Sequence, residues 1–473
     1  MTTRPLLVSL PKGENVKTIK SSFPLACLQL AGWLREHGHN AIILDFSTHR
    51  LPGGRQSTAY IADAILRQCY DEMPLFLGIN CFATVQFPLL RNIAERVRCE
   101  LPKMKICIGG MHPTLFARKI LLHYPAIDYI ALGEGETQML QLTRKLLAGE
   151  RSSMEDIQSF AWRDSNGDVH MTPRNSWLRK FDVPPEHYWG DFDFTPYKVN
   201  TMRWNNPKGL NFDFATPIST TRSCPFSCSF CSVSGHMGRG LRRRKPNDVL
   251  AEIEWLYHNQ GLRYFEFIDD NINVNKEHAL MIFRGILERG LDIHFSLTNG
   301  IHLASADEEL VDVMAEAGLA MIKFPIEHGN DYIRNTIIGK NLSQKKIISL
   351  AKQIKCYDIF TFGLFIIGFP EETEETLNDT LRLMDYIELD MNISAMLIPF
   401  PGTKIFKQCK KDKLFLENIQ IDNLHSGELI LDSSAETVYI KPYKLSVEKL
   451  LLYKNKMQER YFFSEKAKRL NEI

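Results

Sequence analysis

Three cysteines, Cys224, Cys228 and Cys231, fall within the short stretch RSCPFSCSFCSVS that runs from Arg222 to Ser234. In CxxxCxxC spacing they are one too many for a disulfide and one too few for a closed tetrahedral zinc site. Three thiolates can hold three irons of a [4Fe–4S] cluster and leave the fourth iron open to an outside ligand. Two readings compete with this. His236, five residues past Cys231, could complete a zinc site, or the three thiols could be unconnected.

The elements around the triplet narrow the choice. TPISTTR, just upstream, reads as a strand, so the cysteines sit in the loop at its carboxyl end. From about Phe212 to Pro401 the pattern repeats, with further strands expected at YFEFIDD, IHFSLTNG, MIKFPIEHG, TFGLFIIGF and NISAMLIPF. Helices fit between them. DVLAEIEWLYHNQG, for one, puts Val249, Ile253 and Leu256 on one face and stops at Gly261. Six βα units imply a partial (β/α)6 barrel, shorter than the usual eight, and such barrels place chemistry at the carboxyl ends of their strands. The strand ends here carry Asp269 and Asp270, Thr298 and Asn299, Glu327, and Gly363 with Gly368. A solvated acid pair is the competing reading for the two aspartates. Glu327 ends an apolar strand, where an isolated acid is costly unless it is paired, which favours a ligand-facing role.

The first 150 residues form a second α/β pattern. Strands are expected at RPLLVSLP, NAIILDF, PLFLGINCF, KICIGGMH and DYIALGEGE, with helices between, which describes a doubly wound parallel sheet. Ligands of such sheets lie beyond the carboxyl ends of the strands. Those ends hold Gly13, the Ala83-Thr84-Val85-Gln86 loop, Gly109-Gly110-Met111-His112 and Gly133-Glu134. The expected organisation is an α/β domain over 1–150, a hairpin around Asn166-Gly167 and a Pro- and aromatic-rich linker over 151–211, the barrel over 212–404, and a mixed tail over 405–473. The linker near Trp189 and the tail are expected to help shape a substrate pocket.

Composition sets the outer limits. The 473 residues are 44% hydrophobic and 24% charged, as in a soluble globular protein, and Lys+Arg 57 against Asp+Glu 56 leaves a formal charge of +1. That balance gives no global pull toward nucleic acid or anionic lipid. GRGLRRRKP has no aromatic interleaving and reads as the cap of the cluster loop and the start of the next helix. The basic amphipathic stretch EKLLLYKNKMQERYFFSEKAKRL reads as a packing face. No signal peptide or membrane span is expected, and ten cysteines without a secretion signal point to the cytoplasm. Cys27, Cys69, Cys81, Cys99, Cys107, Cys356 and Cys409 are expected to pack as small hydrophobes.

CxxxCxxC with Phe230 before the third cysteine, placed after the first strand of a partial barrel, resembles the radical S-adenosylmethionine (SAM) superfamily. The upstream α/β domain and IPFPGTKIF resemble its cobalamin-binding branch, over roughly residues 5 to 405. The resemblance implies a [4Fe–4S] cluster on Cys224, Cys228 and Cys231, with SAM chelating the open iron and yielding a 5′-deoxyadenosyl radical. It places Phe230 beside the adenine and Asp269 or Asp270 near the SAM amino group, where a carboxylate can pair with an ammonium. Thr298 and Asn299 become polar partners of SAM, and Glu327 meets its ribose or amino-acid end. Gly363 and Gly368 let backbone approach the adenine, and Glu371 or Glu372 ends that segment.

For cobalamin, the resemblance implies contacts from Ala83, Thr84 and Gln86 to the corrin face, from Gly109 and Gly110 to the nucleotide tail, and from His112, Gly133 and Glu134. SLPKGENVK lacks the DxHxxG histidine that ligates cobalt in the methionine synthase type, so cobalamin is expected base-off without a protein histidine. The implied activity is a methyltransferase that delivers a methyl group from methylcobalamin to an unactivated carbon, or phosphorus, of a small-molecule substrate. A flavodoxin- or ferredoxin-type protein would supply electrons. The alternative is a cobalamin-dependent cyclase or ring-rearranging oxidoreductase without net methyl transfer.

Overall fold

The computed structural model describes residues 4–11, 23–48, 55–149, 153–175, 177–197, 208, 210, 215–427, 437–461 and 464. Gly13 and the expected boundary at 211/212 lie outside them. The chain forms two compact units, Met1–Asn200 with His236–Gly238 and Gln420–Leu431, and Thr201–Gly235 with Arg239–Ile419 and Asp432–Ile473.

The first unit is a seven-stranded sheet. β1 (Leu6–Ser9), β2 (Ile42–Asp45), β3 (Leu77–Asn80), β4 (Ile106–Gly109) and β5 (Tyr129–Ala131) are parallel, in the order β2-β1-β3-β4-β5. The near-continuous apolar runs of β1, β3, β4 and β5 suit strands covered on both faces. Leu6, Val8, Ile79, Ile106 and Ile108 pack with Ile61, Ile65, Leu90 and Ile93 of the helices Arg55–Glu72 and Phe87–Glu100. Cys107 and Tyr129 belong to a separate cluster with Met139 and Leu142 of the helix Glu136–Ala148.

The hairpin around Asn166-Gly167 forms β6 (Phe160–Arg163) and β7 (Val169–Met171), its turn held by Asp164 Oδ1, which accepts from Asn166 N and Asp168 N, both at 2.9 Å. As expected it is a hairpin, and it adds two antiparallel strands beyond β5, because the edge of β5 offers a row of hydrogen-bonding groups. The Trp189 segment also differs from expectation. Trp189 is fully buried in an aromatic cluster with Phe23, Phe192, Phe194 and Tyr197, and so forms core of this unit instead of lining a pocket.

The second unit holds β8 (Thr216–Ile218), β9 (Thr221–Arg222), β10 (Arg242–Arg243), β11 (Tyr264–Phe267), β12 (His294–Leu297), β13 (Leu319–Glu327), β14 (Phe360–Ile367) and β15 (Met391–Met396). Six form an open parallel sheet in the order β8-β11-β12-β13-β14-β15, while β9 and β10 pair antiparallel beside the cysteine loop. Helices cover one face, where Phe267 and Phe295 pack on Phe283 of the helix Lys276–Glu288. The helix Pro246–Gln260 buries Val249, Ile253 and Leu256 and ends at Gly261, whose φ of +68° makes the left-handed cap. Near the C-terminus, the helix Val447–Gln458 starts where Ser446 Oγ accepts from Lys449 N at 3.3 Å, and it buries Leu450, Tyr453 and Met457.

All ten cysteines are free thiols. Cys27, Cys69, Cys81, Cys107 and Cys409 are buried as expected of small hydrophobes, whereas Cys99 and Cys356 are exposed. Among the described residues no helix is long and apolar enough to cross a membrane.

Candidate active site

In the second unit the cysteine loop starts at a strained residue. Ser223, directly before Cys224, has φ +69°, a left-handed conformation that costs a non-glycine residue energy and turns the chain sharply out of β9. The loop is pinned from two directions, since Ser229 N donates to Ile338 O at 2.9 Å and Ile405 N donates to Ser229 O at 3.0 Å. Cys231 N closes a turn onto Cys228 O at 3.1 Å. Burial pushes the Cys231 thiol up to about 12, reinforced by Cys228, Cys224 and Asp270 and opposed by a backbone bond at Val233. The three sulfurs and Asp270 therefore share one neighbourhood. Among the described residues no three His, Cys, Asp or Glu side chains converge tightly enough for a single metal ion.

The two aspartates after β11 have different surroundings. Asp269 is 4% exposed, and its Oδ1 accepts from Thr220 N at 2.9 Å, Thr220 Oγ1 at 2.9 Å, Thr221 Oγ1 at 2.6 Å and Thr221 N. Its Oδ1 holds the strand that leads into the cysteine loop, while its buried Oδ2 has no hydrogen-bond partner among the described residues. Asp270 is half-buried, and burial followed by repulsion from Asp269 pushes its carboxyl up to about 6. The expectation of one ligand-facing acid thus points to Asp270. The next residue, Asn271, places Nδ2 3.3 Å from Cys224 Sγ. Asn299 Nδ2 donates to Ile268 O at 2.8 Å, and Thr298 Oγ1 donates to Phe267 O at 3.3 Å, so both brace the end of β11.

Glu327 is not the isolated acid that the sequence suggests. It ends β13 with φ +67°, is buried, and pairs with Lys340 Nζ at 2.5 Å. Lys340 lies thirteen residues on, past a turn in which buried Arg334 donates to His328 O at 2.7 Å and Leu342 O at 2.7 Å. No local pattern marks that lysine. Gly368 has φ +100°, and its N–H donates to Glu372 Oε2 at 2.8 Å. Of the two glutamates, Glu372 is therefore the one built into the turn, while Glu371 Oε1 accepts from Gln408 Nε2 at 2.6 Å. Gly363 has a packing reason, since a Cβ there would lie 2.5 Å from Asn392 Oδ1. Phe230 meets Phe369 edge-on at 6.2 Å. In the basic run, Arg244 is buried against Glu252 at 2.5 Å and donates to Ser219 O at 2.9 Å. That structural role is the one expected of the run.

In the first unit the strand ends turn most of the expected polar contacts inward. Gln86 Nε2 donates to Leu10 O at 3.1 Å and Pro11 O at 3.0 Å, and its Oε1 accepts from Ala83 N at 3.1 Å. His112 is fully buried, with Nδ1 3.2 Å from Thr84 Oγ1 and Nε2 3.3 Å from His425 O. Burial pushes it down to about 4, so the imidazole is neutral near pH 7. Glu134 accepts from Leu178 N at 3.1 Å, and Gly133 is covered by Trp177 and the His236 carbonyl. Gly110 must be glycine, because at φ +118° a Cβ would sit 2.3 Å from Cys81 O. Thr114, which no motif singles out, accepts from Gly133 N at 2.9 Å and donates to Gly110 O at 2.7 Å, tying the two glycine turns together. Among the described residues these ends leave accessible half-exposed Ala83, Val85, Gly109, Gly110 and Met111, and Phe82, which is 61% exposed.

The surroundings fit the groups expected in each unit, with three thiols and a half-buried acid in one and, among the described residues, an accessible strand-end loop of Phe82, Ala83, Gly109 and Gly110 in the other. Comparison with known proteins agrees. Residues 218–384 match the model of the radical SAM superfamily, and residues 20–143 match that of the B12 binding domain. An uncharacterized methyltransferase of Pyrococcus horikoshii is 26% identical over 87% of this chain and 84% of its own length. Cytidylyl-2-hydroxyethylphosphonate methyltransferase of Streptomyces wedmorensis is 27% identical over 82% of this chain and 78% of its own. The fold is shared with the radical SAM methyltransferase TsrM of Kitasatospora setae, solved with cobalamin and a [4Fe–4S] cluster, at TM-score 0.72 and 17% identity over 87% of this chain and 75% of that one. With a B12-binding domain joined to a radical SAM domain, this chain belongs to the cobalamin-binding branch of the radical SAM superfamily, whose cofactors are a [4Fe–4S] cluster, SAM and cobalamin.

Proposed function

We propose that this protein is a cobalamin-dependent radical SAM methyltransferase acting on an unactivated carbon, or phosphorus, of a small molecule, with electrons from a flavodoxin- or ferredoxin-type donor in the cytoplasm. The observation that carries the reading is the pinned cysteine loop with Asp270 in its neighbourhood, in a chain that also has a B12-binding domain. Relatives named methyltransferases are 26% and 27% identical over 87% and 82% of this chain, against 25% and 23% over 80% and 81% for relatives named magnesium-protoporphyrin IX monomethyl ester cyclases, and that order supports methyl transfer.

In this reading Cys224, Cys228 and Cys231 hold three irons and leave the fourth for the amino-acid end of SAM. Asp270, ionised above about pH 6, accepts the SAM ammonium, and Asp269 keeps the loop in place through Thr220 and Thr221. Glu327, held by Lys340, accepts from the SAM ribose, and the Gly368–Glu372 turn presents backbone to the adenine beside Phe230. In the first unit Phe82 and the half-exposed backbone of Ala83, Gly109 and Gly110 receive the corrin. His112 stays inside the protein, so no histidine of this loop reaches cobalt. The bound groups supply one-electron activation of an inert bond and a transferable methyl group; the protein positions them and excludes water.

The test is anaerobic reconstitution with iron, sulfide and hydroxocobalamin, followed by SAM and reductant. About four irons per chain are expected for one [4Fe–4S] cluster, together with a bound corrinoid and release of both 5′-deoxyadenosine and S-adenosylhomocysteine. Deoxyadenosine without S-adenosylhomocysteine would move the assignment to the cyclase or oxidoreductase class, and about eight irons would reject the single-cluster reading.

A further inference from the structure

We propose that Asn271 sets the reduction potential of the iron–sulfur cluster through an N–H···S hydrogen bond to Cys224, an assignment that rests on the reading of the cysteine triplet above. Asn271 is 9% exposed, and its Nδ2 lies 3.3 Å from Cys224 Sγ. An iron-bound thiolate carries no proton and can only accept, so the amide edge and not the carbonyl edge must face it. The segment that carries Asn271 is held on both flanks. Two residues before it, Asp269 is locked to Thr220 and Thr221. Two residues after it, Asn273 makes a reciprocal pair with His302, donating to its carbonyl at 3.0 Å and accepting from its N–H at 2.8 Å. These anchors fix the backbone on both sides of Asn271, so the side chain starts from a set position beside the sulfur.

The physical consequence follows from charge. Reduction places one electron, taken from an external low-potential reductant, on the cluster, with no bond made or broken and no proton moved. The added charge spreads onto the cysteine sulfurs, and a donor pointed at one of them stabilises the more negative state more than the oxidised one. Asn271 thus raises the potential. The run Asp269-Asp270-Asn271 then divides three tasks between adjacent residues, anchoring the loop, receiving SAM and tuning the cluster.

The experiment is an EPR-monitored redox titration, with dithionite and without SAM, of reconstituted wild-type chain, Asn271→Leu and Asn271→Ser. Asn271→Leu keeps a comparable volume without a donor, and Asn271→Ser keeps a hydroxyl that is too short to reach. Both are expected to hold wild-type iron and to titrate at a lower potential, by about tenfold in the reduction equilibrium, which is about 59 mV for one electron. Coincident potentials, with iron content intact, would overturn the inference. Loss of the cluster in both variants would overturn it too, because Asn271 would then be needed for assembly rather than tuning. Failure of the wild-type chain to assemble a cluster, or a cluster that survives Cys224→Ala, would instead reject the triplet reading beneath it.

Discussion

Replacing Asp269 and Asp270 one at a time should shift stability in opposite directions, although the two residues are neighbours of the same type. Asp269→Ala removes an oxygen that accepts four hydrogen bonds from Thr220 and Thr221 and strands two buried backbone N–H groups. Each unsatisfied buried donor costs about 1–3 kcal/mol. Against that, the substitution recovers the cost of burying the Asp269 carboxylate, whose pKa burial raises. The expected net loss is about 3 kcal/mol, felt in the segment that carries Cys224.

Asp270 has the reverse balance. Its carboxyl is pushed from 3.8 to about 6, first by burial and then by Asp269. At about 1.36 kcal/mol per pKa unit, ionised Asp270 costs the folded chain up to about 3 kcal/mol at pH 7. A folded-state pKa raised above the unfolded value means that the Asp270 contribution to the second unit's stability falls as pH rises from 3.8 to about 6. Asp270→Asn should reduce that fall, leaving the part due to Asp269, and raise stability above pH 6, while SAM affinity drops about 10- to 100-fold as a charge-assisted hydrogen bond is lost. Urea unfolding of the iron-free chains from pH 4 to 8, with equilibrium dialysis of SAM on the reconstituted ones, measures both effects. The reasoning is refuted if both variants lose stability, or if Asp270→Asn binds SAM as tightly as wild type.

Three further outcomes are expected. Gly110→Ala should destabilise the first unit by several kcal/mol, of order 3–5, since its Cβ would strike Cys81 O at 2.3 Å; a unit-1 melting temperature equal to wild type contradicts this. His112 is ordinarily protonated below about 6.5 but in the fold only near 4, so its contribution to the first unit's stability should be complete above pH 6.5 and decline toward pH 4, by up to about 3 kcal/mol. Urea midpoints against pH should show a shallower decline in His112→Phe. Phe82→Ala should leave stability unchanged, because the ring is exposed, yet weaken hydroxocobalamin retention on gel filtration by at least severalfold; undiminished retention removes Phe82 from the corrin site.

The architecture was legible because its signals are local. Apolar runs of four to eight residues bounded by turn residues placed every parallel strand of both units, and helical spacing with Gly261 placed the helix between β8 and β11. The cysteine triplet was equally plain, since three thiols in one loop need no fold to be seen together. Less legible was which polar strand-end residues are spent inside the protein. Gln86 and His112 have the side chains of ligand contacts, but each is held by partners distant in sequence, such as His425 for His112, and Asp269 gives one of its oxygens to Thr220 and Thr221. A sequence pattern records residue type and spacing, not the partner a folded chain brings within 3 Å.

By itself, then, the sequence determined the two α/β units, the strand-end placement of the chemistry and the odd-numbered thiol set. Only the tertiary structure decided that Asp269 anchors while Asp270 stays accessible, that Glu327 has Lys340, that Asn271 reaches Cys224, and that the Trp189 segment is core. The physical reason is that period and composition follow from neighbours along the chain, whereas hydrogen bonds, ion pairs and burial depend on neighbours in space.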